Sequence, residues 1–513
     1  MRITHARADP VGEPNPTGEP NAGSDSSPIT FDFNRSLEVS FTGGEITSDA
    51  GALLLRQTDE AFDLVGSLAA SLNDSRDPAF VTHPLTELLR ERMYMLCLGY
   101  EDTNDATTMR DDPALRLAIR GRGTEEFRAP LASQPTLSRL EHEILLPRDK
   151  KGKLTPEAIR NLEVLEDAPL RWFETVMTRH KAPDRLVVDF DSSDARVHGH
   201  QEGAAYNGYF EETVFHPLFA HLGDGLGELL KARLREGQVY TSVGIVDFAR
   251  PLLRRLLAMT QSLWSRGDSG FAVPEYFDEV EGLDAEERAK SGKRAFYVIK
   301  LKSNAVLQRL AEPHLTRSVG RPPNHPVFRY VELSYAAESW KHERRVVLVV
   351  KFTPGEMFPE VAFLVTNASP EETPAEELAK LYRRRGDDSE NRIKEAKHDI
   401  KIDRTSCHSF ESNRVRLALA VCAYNLAHWT RTLGRSPGSP KTPPPSAPSL
   451  QSLRLLVLKI GARLLLHARK AYLLLASACT AKRLFRDLTD RLRRVALAAP
   501  GSLTRVPLSA QID

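Results

Sequence analysis

The chain has 513 residues, of which 41% are hydrophobic and 27% charged, and its formal net charge is +1. This composition is that of a globular protein with about two to four domains. No apolar run reaches the ~18 residues of a membrane span, the first residues lack the apolar core of a signal peptide, and the four cysteines form no CxxC pair. A membrane protein, a disulfide scaffold and a structural zinc domain are therefore excluded, and a cytoplasmic location is expected.

The N-terminal part divides into a leader and a helical region. Residues 1–30 are rich in Pro, Gly, Ser and Asn and are predicted to be disordered. Residues 31–150 carry apolar residues at three- and four-residue spacing, as in SDAGALLLRQTDEAFDLVGSLAASL, which starts with a Ser/Asp cap. This pattern predicts amphipathic helices.

A short helix within LASQPTLSRLEHEI (131–144) carries small polar residues and an arginine directly after a Ser-Gln-Pro turn. DNA-reading helices often begin in this way, although a capped helix in an ordinary α-domain has the same appearance. The candidate DNA contacts are Gln134, Thr136, Ser138 and Arg139.

The remaining chain falls into five blocks. Strand-like and helix-like segments alternate over 180–289, and runs rich in Val, Phe and Tyr dominate 290–370. Helical patterns return over 371–433, and a Pro/Ser-rich linker follows at 434–450. The C-terminal region is 451–513.

The C-terminal region is basic. Between residues 451 and 500 there are 11 Lys and Arg against 2 Asp and Glu, a balance of +9. The rest of the chain has 59 basic and 67 acidic residues, a balance of −8. A basic region on a slightly acidic body favours an anionic partner, most often nucleic acid.

Carboxylates stand in three separated places. The strand-like run RLVVDFDSSDARVHG (185–199) ends with Asp189, Asp191 and Asp194, and the first two share one face of a strand. Asp268 lies in a Gly-Asp-Ser-Gly turn after SLWSR, and Glu390 lies on a helix with Lys394 and Lys397 at i+4 and i+7. Taken singly, these places are typical of a strand-end turn, a plain turn and a salt-bridged surface helix.

Taken together, two strand-end aspartates and a later helical glutamate are what a two-metal phosphoryl-transfer site requires. Such a site holds two ions ~3.5–4 Å apart with bridging carboxylates. Hard oxygen ligands select Mg²⁺ or Mn²⁺. His198 and His200 lack the third ligand of a metal site, and such a pair more often has a structural role as polar side chains.

The chain resembles the bacterial DDE transposases of the insertion-sequence "thirteen-eighty" family, within the group that carries a Y…R…E…K signature. The resemblance covers about 36–432. The segments that carry it, in the family's order, are EITSDAGALLLRQTD, LCLGYEDTNDATTMRDDPAL, LASQPTLSRLEH, GHQEGAAYNGYF, RGDSGFA and ENRIKEAKHDI.

The resemblance implies an α/β fold with a ribonuclease H-like catalytic core, whose two parts are 180–289 and 371–433. The β-rich block 290–370 is then an insertion between the second Asp and the Glu. Residues 31–150 become a helical region that binds DNA ends, and 451–513 a basic C-terminal tail. Asp191, Asp268 and Glu390 match the catalytic, metal-binding acids, Asp189 becomes a supporting carboxylate and Asp194 a turn residue.

The implied activity is cleavage of DNA at the ends of the element and joining of the freed 3′ ends to target DNA, with two Mg²⁺ or Mn²⁺ ions as the cofactor. The partners are double-stranded DNA, namely terminal inverted repeats and target, and a second copy of the chain on that DNA, near the nucleoid. The DNA-binding residues outside the 131–144 helix are Tyr382, Arg385, Lys394 and Lys397.

One spacing departs from the signature. The family has three residues between Arg and Glu, whereas four separate Arg385 from Glu390, which turns one side chain by about 100° on a continuous helix. A loop at Gly386-Asp387-Asp388 would absorb the extra residue. The alternatives are a DNA-binding descendant without activity, which the extra residue favours, and a different metal hydrolase.

Overall fold

The computed structural model describes residues 28–121, 129–317, 320, 324–435, 447–467 and 470–506, and the side chains of 387–390 lie outside that description. The chain is a mixed α/β protein built on one large mixed sheet. All four cysteines, which lie within the described residues, are free thiols. No helix in the described ranges is long and apolar enough to cross a lipid bilayer.

The N-terminal part contains short strands followed by helices. The strands are β1 (Ile29–Phe31), β2 (Asn34–Val39) and β3 (Ile46–Thr47). The helices are α1 (Ala52–Phe62), α2 (Leu64–Ser71), α3 (Leu85–Leu98), α4 (Ala106–Met109), α5 (Pro113–Arg120), α6 (Gln134–Arg139) and α7 (Pro156–Met177). Both α5 and α7 start at a proline, after caps by Asp112 and Thr155 that accept backbone N–H groups. Strand β1 begins inside the predicted leader, of which 1–27 lie outside the described residues.

The central part supplies most strands. They are β4 (Arg185–Ser192), β5 (Ala195–Arg196), β6 (Ala205–Asn207), β7 (Glu212–Phe215), β8 (Leu218–Leu222), β9 (Leu229–Arg233), β10 (Ser262–Gly267), β11 (Arg294–Leu301), β12 (Val327–Tyr335), β13 (Arg344–Phe352) and β14 (Glu360–Thr366). The helices between them are α8 (Ile245–Ala258), α9 (Pro274–Ser291) and α10 (Ala305–Ala311).

The large sheet has eight strands in the order β12-β13-β14-β11-β10-β4-β8-β9. Strands β4, β10 and β11 are parallel neighbours, joined through α8 and α9, and every other pairing is antiparallel. The Leu-Val-Val run of β4 is buried because helices and neighbouring strands enclose the middle of the sheet.

The β-rich stretch predicted at 290–370 lies in this same sheet. Strands β12, β13 and β14 extend it by antiparallel pairing beyond β11. Because β11 is also the parallel neighbour of β10, the stretch continues the sheet that carries β4 and does not form a sheet of its own.

The C-terminal part contains α11 (Ala375–Glu395), α12 (Phe410–Thr432), α13 (Leu450–Leu453), β15 (Ala462–His467), β16 (Lys470–Leu475) and α14 (Lys482–Leu497). Helix α11 runs without a break through Gly386 and ends in a π-helical turn, Ala396–Ile400. The expected loop at Gly386-Asp387-Asp388 is therefore absent, and the helix continues although glycine, aspartate and serine are weak helix formers.

The basic C-terminal region packs on the N-terminal helices. Strand β15 pairs with β3, and α14 contacts α1 and α12. Lys459 forms an ion pair with Asp49 at 2.7 Å, and Arg454 donates to the carbonyl oxygen of Cys97 at 2.9 Å. The linker predicted at 434–450 thus does not leave 451–506 as a separate body, although 436–446 lie outside the described residues.

Candidate active site

The ends of two parallel strands bring Asp191 and Asp268 to the same edge of the sheet. The register pairs Asp189 with Arg266 on β4 and β10, and each aspartate stands two residues further along its own strand direction. Adjacent strands lie about 4.8 Å apart, so matched positions on them are close neighbours. Both aspartates are partly exposed. The edge therefore presents two carboxylates side by side.

Each carboxylate is oriented by a backbone amide. Ser192 N donates to Asp191 Oδ1 at 2.9 Å, and Gly270 N donates to Asp268 Oδ1 at 2.8 Å. The second bond forms because a 3-10 turn, Ser269–Phe271, starts directly after Asp268. Two oriented, partly exposed oxygen donors of like charge fit a hard divalent cation such as Mg²⁺.

Helix α11 brings Arg385 against this edge. Arg385 Nη2 donates to the carbonyl oxygen of Phe190 at 3.1 Å and lies 3.4 Å from Asp191 Oδ2. Burial acts to lower the pKa of Arg385, but the charges of Asp191 and Asp189 outweigh it and raise that pKa. The guanidinium is therefore a fixed positive charge beside the paired aspartates.

Tyr382 lies one helical turn before Arg385. Burial raises the pKa of its phenol to about 12, with Arg385 opposing and the negative charges of Asp268, Asp189 and Asp191 adding to the rise. Tyr382 is therefore a neutral hydroxyl near both aspartates at physiological pH. The structure thus brings Asp191, Asp268, Tyr382 and Arg385 into one neighbourhood.

Asp189 contributes to the site through its partner Arg266. It is completely buried, and Arg266 Nε and Nη2 donate to its two oxygens at 2.6 and 2.7 Å. Arg266, also completely buried, donates from Nη1 to the carbonyl oxygen of Leu381 on α11 at 2.6 Å. This buried link ties β4 and β10 to α11, directly before Tyr382. The sequence interpretation missed Arg266, although its position two residues before Asp268 places both on one strand face.

The π-helical turn that follows α11 approaches the end of β4. Lys397 Nζ donates to Asp194 Oδ1 at 2.8 Å and to the Asp194 backbone oxygen at 2.7 Å. Asp194 is therefore held by a lysine. Glu390 lies on α11, seven residues before Lys397, but its side chain lies outside the described residues. Lys394 lies on the same helix.

The predicted DNA-binding residues on α6 belong to a part of the sequence that precedes the strands of this edge. Arg139 is exposed, and Gln134, Thr136 and Ser138 are partly exposed. Arg139 Nη2 lies 3.4 Å from Thr136 Oγ1, and Thr136 Oγ1 lies 3.2 Å from Ser133 Oγ. A π-helical turn, Leu140–Ile144, follows α6 and buries Leu140 and Ile144. Helix α6 thus combines a buried apolar side with accessible polar side chains.

Glu91, which the sequence interpretation did not single out, supports the start of α6. It is completely buried, and its Oε2 accepts the backbone N–H of Ala132 at 3.0 Å. Burial raises the pKa of this carboxyl from 4.5 to about 8. Glu91 is therefore largely protonated near neutral pH.

This buried carboxyl makes the free energy of unfolding depend on pH. Because the folded-state pKa of Glu91 lies above its ordinary value, the folded chain binds the extra proton between about pH 4.5 and 8. The free energy of unfolding is expected to fall across that range, by an amount on the order of several kcal/mol. Urea unfolding at pH 5 and pH 8.5 measures it. Glu91→Gln is expected to flatten the dependence, and an unchanged slope in this variant contradicts the assignment.

A second group of metal-type ligands is present. Among the described residues, Glu141, His142 and Cys407 place ligand atoms within 4.8 Å of one another. Glu141 is already engaged by Arg92 at 2.7 Å and by Arg416 at 3.3 Å. Two arginines on the one carboxylate supply the positive charge that a cation would bring, so Glu141 belongs to a buried ion network.

Comparison with known proteins identifies the family. The sequence profile described as Transposase DDE domain group 1 matches residues 29–497. No curated protein matches the chain. A chain in the cryo-EM structure of the piggyBac transposase synaptic complex with hairpin DNA is similar with a TM-score of 0.36 and 11% identity, over 88% of this chain and 85% of that one. Similarity of that degree does not establish a shared fold. The profile match spans most of the chain, which therefore belongs to the Transposase DDE domain group 1 family.

Proposed function

We propose that this DDE transposase cleaves DNA at the ends of its own insertion sequence and joins the freed 3′ ends to target DNA. The observation that carries the proposal is that Asp191 and Asp268 each stand two residues beyond the register pair Asp189–Arg266 of adjacent parallel strands, with Arg385 against Asp191. The ordered sequence segments further support membership of the insertion-sequence "thirteen-eighty" group. In this interpretation β4, β10 and α11 belong to a ribonuclease H-like core.

In the proposed site, Asp191, Asp268 and Glu390 would hold two divalent ions, Mg²⁺ or Mn²⁺. Such ions, when bound, lower the pKa of an attacking water and stabilise negative charge on the leaving oxygen. The assignment of Glu390 is supported by Lys397, which lies seven residues later, about two helical turns, and contacts Asp194 near the end of β4. This spacing supports a position of Glu390 on the side of α11 that faces the edge carrying Asp191.

The neighbouring side chains position the DNA. Arg385 offers a charge fixed by Asp191 and the Phe190 carbonyl oxygen, and it is placed to hold the phosphate next to the scissile bond. Tyr382, as a neutral phenol, donates a hydrogen bond to a phosphate oxygen. Lys394 and Lys397 hold phosphates further along the same helix, which makes the affinity for DNA sensitive to salt.

Recognition of the DNA ends is assigned to the N-terminal helical region, 31–150. Polar side chains on α6 would contact base edges or phosphates of the terminal repeats. Two ends must be cut and joined together, so we further propose that a homodimer assembles on DNA, in the nucleoid. The residues assigned to α6 recognition are Gln134, Thr136, Ser138 and Arg139.

The function is tested by incubating the full chain with a DNA fragment that ends in the element's own repeat. We expect cleavage with Mg²⁺, none with EDTA, and joining of the 3′ end to added target DNA. Asp268→Ala is expected to be inactive. Equal cleavage by wild type and Asp268→Ala would show that the site is misassigned.

A DNA-binding protein without activity is the second candidate. The observation that favours it is the unbroken helix α11, which leaves one residue more between Arg385 and Glu390 than the family signature has. Five positions on a helix rotate a side chain by about 500°, so these two side chains start about 140° apart. Specific binding to the repeat by both wild type and Asp268→Ala, with cleavage by neither, would establish this alternative.

Arg385→Lys is expected to slow cleavage by about 10- to 100-fold without loss of folding. A lysine is a single point charge and cannot contact both the Phe190 carbonyl oxygen and Asp191 while also facing a phosphate. The rate of cleavage at saturating DNA measures the effect. Arg383→Lys is the matched control, because Arg383 turns away, stacking on Phe328 at 4.2 Å and donating to Tyr330 at 3.2 Å. Equal loss in both variants contradicts the assigned role.

A further inference from the structure

Helix α14 separates apolar and basic residues onto opposite sides. Leu488, Leu492 and Val495 are buried, and the helix contacts α1 and α12. The basic residues Lys482, Arg483, Arg486, Arg493 and Arg494 are all exposed. At about 100° per residue they fall within an arc of about 120° on the outer side, which we call the basic stripe of α14.

The described part of the chain does not neutralise the basic stripe. Within the described residues, none of its five side chains has an ion-pair or hydrogen-bond partner, whereas Arg491 pairs with Asp487 beside the stripe. One acidic residue, Asp490, lies exposed inside the arc. Five like charges on one helix face repel each other, and an anionic partner relieves that repulsion.

The chemistry of the stripe selects the partner. Four of the five residues are arginines, whose planar guanidinium groups bind phosphate oxygens in bidentate fashion. A membrane surface requires an accessible apolar face beside the basic one. Here that apolar face is buried against the protein. Leu497, at the last position of the helix and within the arc of the stripe, is the one large apolar residue exposed on it.

The carboxyl end of the stripe, at Arg493 and Arg494, lies away from the paired aspartates. Arg179 Nη1 donates to the carbonyl oxygen of Ala498, directly after α14, at 2.6 Å. Arg179 precedes the amino end of β4, whereas Asp191 lies near the other end, about 20 Å along the strand. A phosphate bound there is therefore remote from the reacting phosphodiester.

We infer that the basic stripe of α14 binds the phosphate backbone of duplex DNA at a distance from the cleaved bond. This inference rests on the proposed DNA substrate and adds a binding surface that the catalytic edge does not include. Phosphate contacts carry no sequence information, so the surface holds flanking or target DNA of any sequence.

The test is binding of the full-length chain to a fluorescein-labelled DNA duplex of about 30 base pairs and arbitrary sequence, in EDTA, at several salt concentrations. The variant with Gln at all five basic positions is expected to bind about tenfold or more weakly. The slope of its plot of log affinity against log salt should be shallower by up to about 4.5, since each phosphate contact contributes ~0.9 to the slope. Asp490→Lys, which extends the stripe, is expected to bind more tightly.

Matched controls separate the stripe from total charge. Arg493→Gln/Arg494→Gln is expected to weaken binding several-fold, whereas Arg288→Gln/Lys290→Gln, on exposed positions of α9, should change it less than twofold. Outward-facing substitutions should leave the melting temperature unchanged. Equal affinity of the wild type and the five-fold variant for the DNA duplex overturns this inference alone. The same holds if the five-fold variant loses affinity for an RNA duplex of equal length and not for the DNA duplex. A wild type without affinity for DNA overturns the proposed function as well.

Discussion

Asp268→Asn is expected to lower the rate of DNA cleavage by at least about 10³-fold, or ~4 kcal/mol in activation free energy. The substitution nearly preserves shape, and the asparagine Oδ1 still accepts the Gly270 N–H, so the local turn is retained. The charge that would hold a divalent cation is lost. Asp191→Asn is expected to have the same effect on the rate.

The same variant separates metal binding from folding. Without metal, two carboxylates at neighbouring strand ends repel, so Asp268→Asn is expected to raise the free energy of unfolding by up to about 1 kcal/mol. Millimolar Mg²⁺ should raise the melting temperature of the wild type and not that of the variant, because a cation that binds the folded state stabilises it.

Asp194→Asn is the matched control for both measurements. Asp194 lies three residues after Asp191, but Lys397 engages its carboxylate. We expect it to retain cleavage within about tenfold and to keep the Mg²⁺-induced rise in melting temperature. If Asp194→Asn lost both while Asp268→Asn kept them, the assignment of the metal edge would be wrong.

The strands and helices around this edge follow from local patterns. The apolar runs Leu-Val-Val and Leu-Trp, each followed by Asp, Ser or Gly, predict β4 and β10, and both strands form where the residues place them. Parallel strands end at a common edge, so one sequence suffices to suggest that Asp191 and Asp268 approach each other. The assignment of Glu390 depends on how α11 is rotated about its own axis, because that rotation decides which side chains face the aspartates. The assignment stays a prediction.

Long-range packing could not be derived in the same way. The pairing of β15 with β3 joins residues 46–47 to 462–463, and no local pattern specifies such a partner. The same holds for β11, whose two sheet neighbours are the parallel β10 and the antiparallel β14. The order of strands in a sheet depends on which strand edges meet during folding. The spacing of hydrophobic residues along the sequence does not encode that choice.

The bidentate pair of Asp189 and Arg266 also lies beyond sequence patterns. A charged residue at a buried strand position contradicts the ordinary preference for apolar side chains, and its partner must come from a neighbouring strand. Gly223 completes the arrangement, since a Cβ there would lie 2.3 Å from Arg266 Nη2 and 2.7 Å from Asp189 Oδ2. The two charged side chains and the glycine come from three separate segments of the chain, and they pack together.

Arg266→Met is expected to lower the free energy of unfolding by about 3–5 kcal/mol at pH 7, because it leaves the buried Asp189 carboxylate without its partner. In the wild type, burial acts to raise the pKa of Asp189, and Arg266 outweighs it and lowers that pKa. The wild-type pair therefore stabilises the fold above the unfolded pKa of aspartate and loses this contribution as the pH falls.

In Arg266→Met the sign is expected to reverse, since burial then outweighs the remaining lowering effects of His221 and Arg385 and raises the pKa of Asp189. The deficit relative to wild type should shrink as the pH falls from 7 to 4. Urea unfolding at the two pH values measures this. A deficit that stayed constant would mean that lost packing, rather than the unpaired charge, causes the instability.

The double variant Asp189→Leu/Arg266→Met distinguishes stability from positioning. Replacing both members of a buried ion pair with apolar residues is expected to recover most of the lost free energy of unfolding. It does not restore the bond from Arg266 Nη1 to the Leu381 carbonyl oxygen, which fixes α11 next to Tyr382 and one turn before Arg385. Cleavage should therefore stay at least about tenfold below wild type in a stably folded chain. Full recovery of cleavage together with stability would reduce the pair to a structural role.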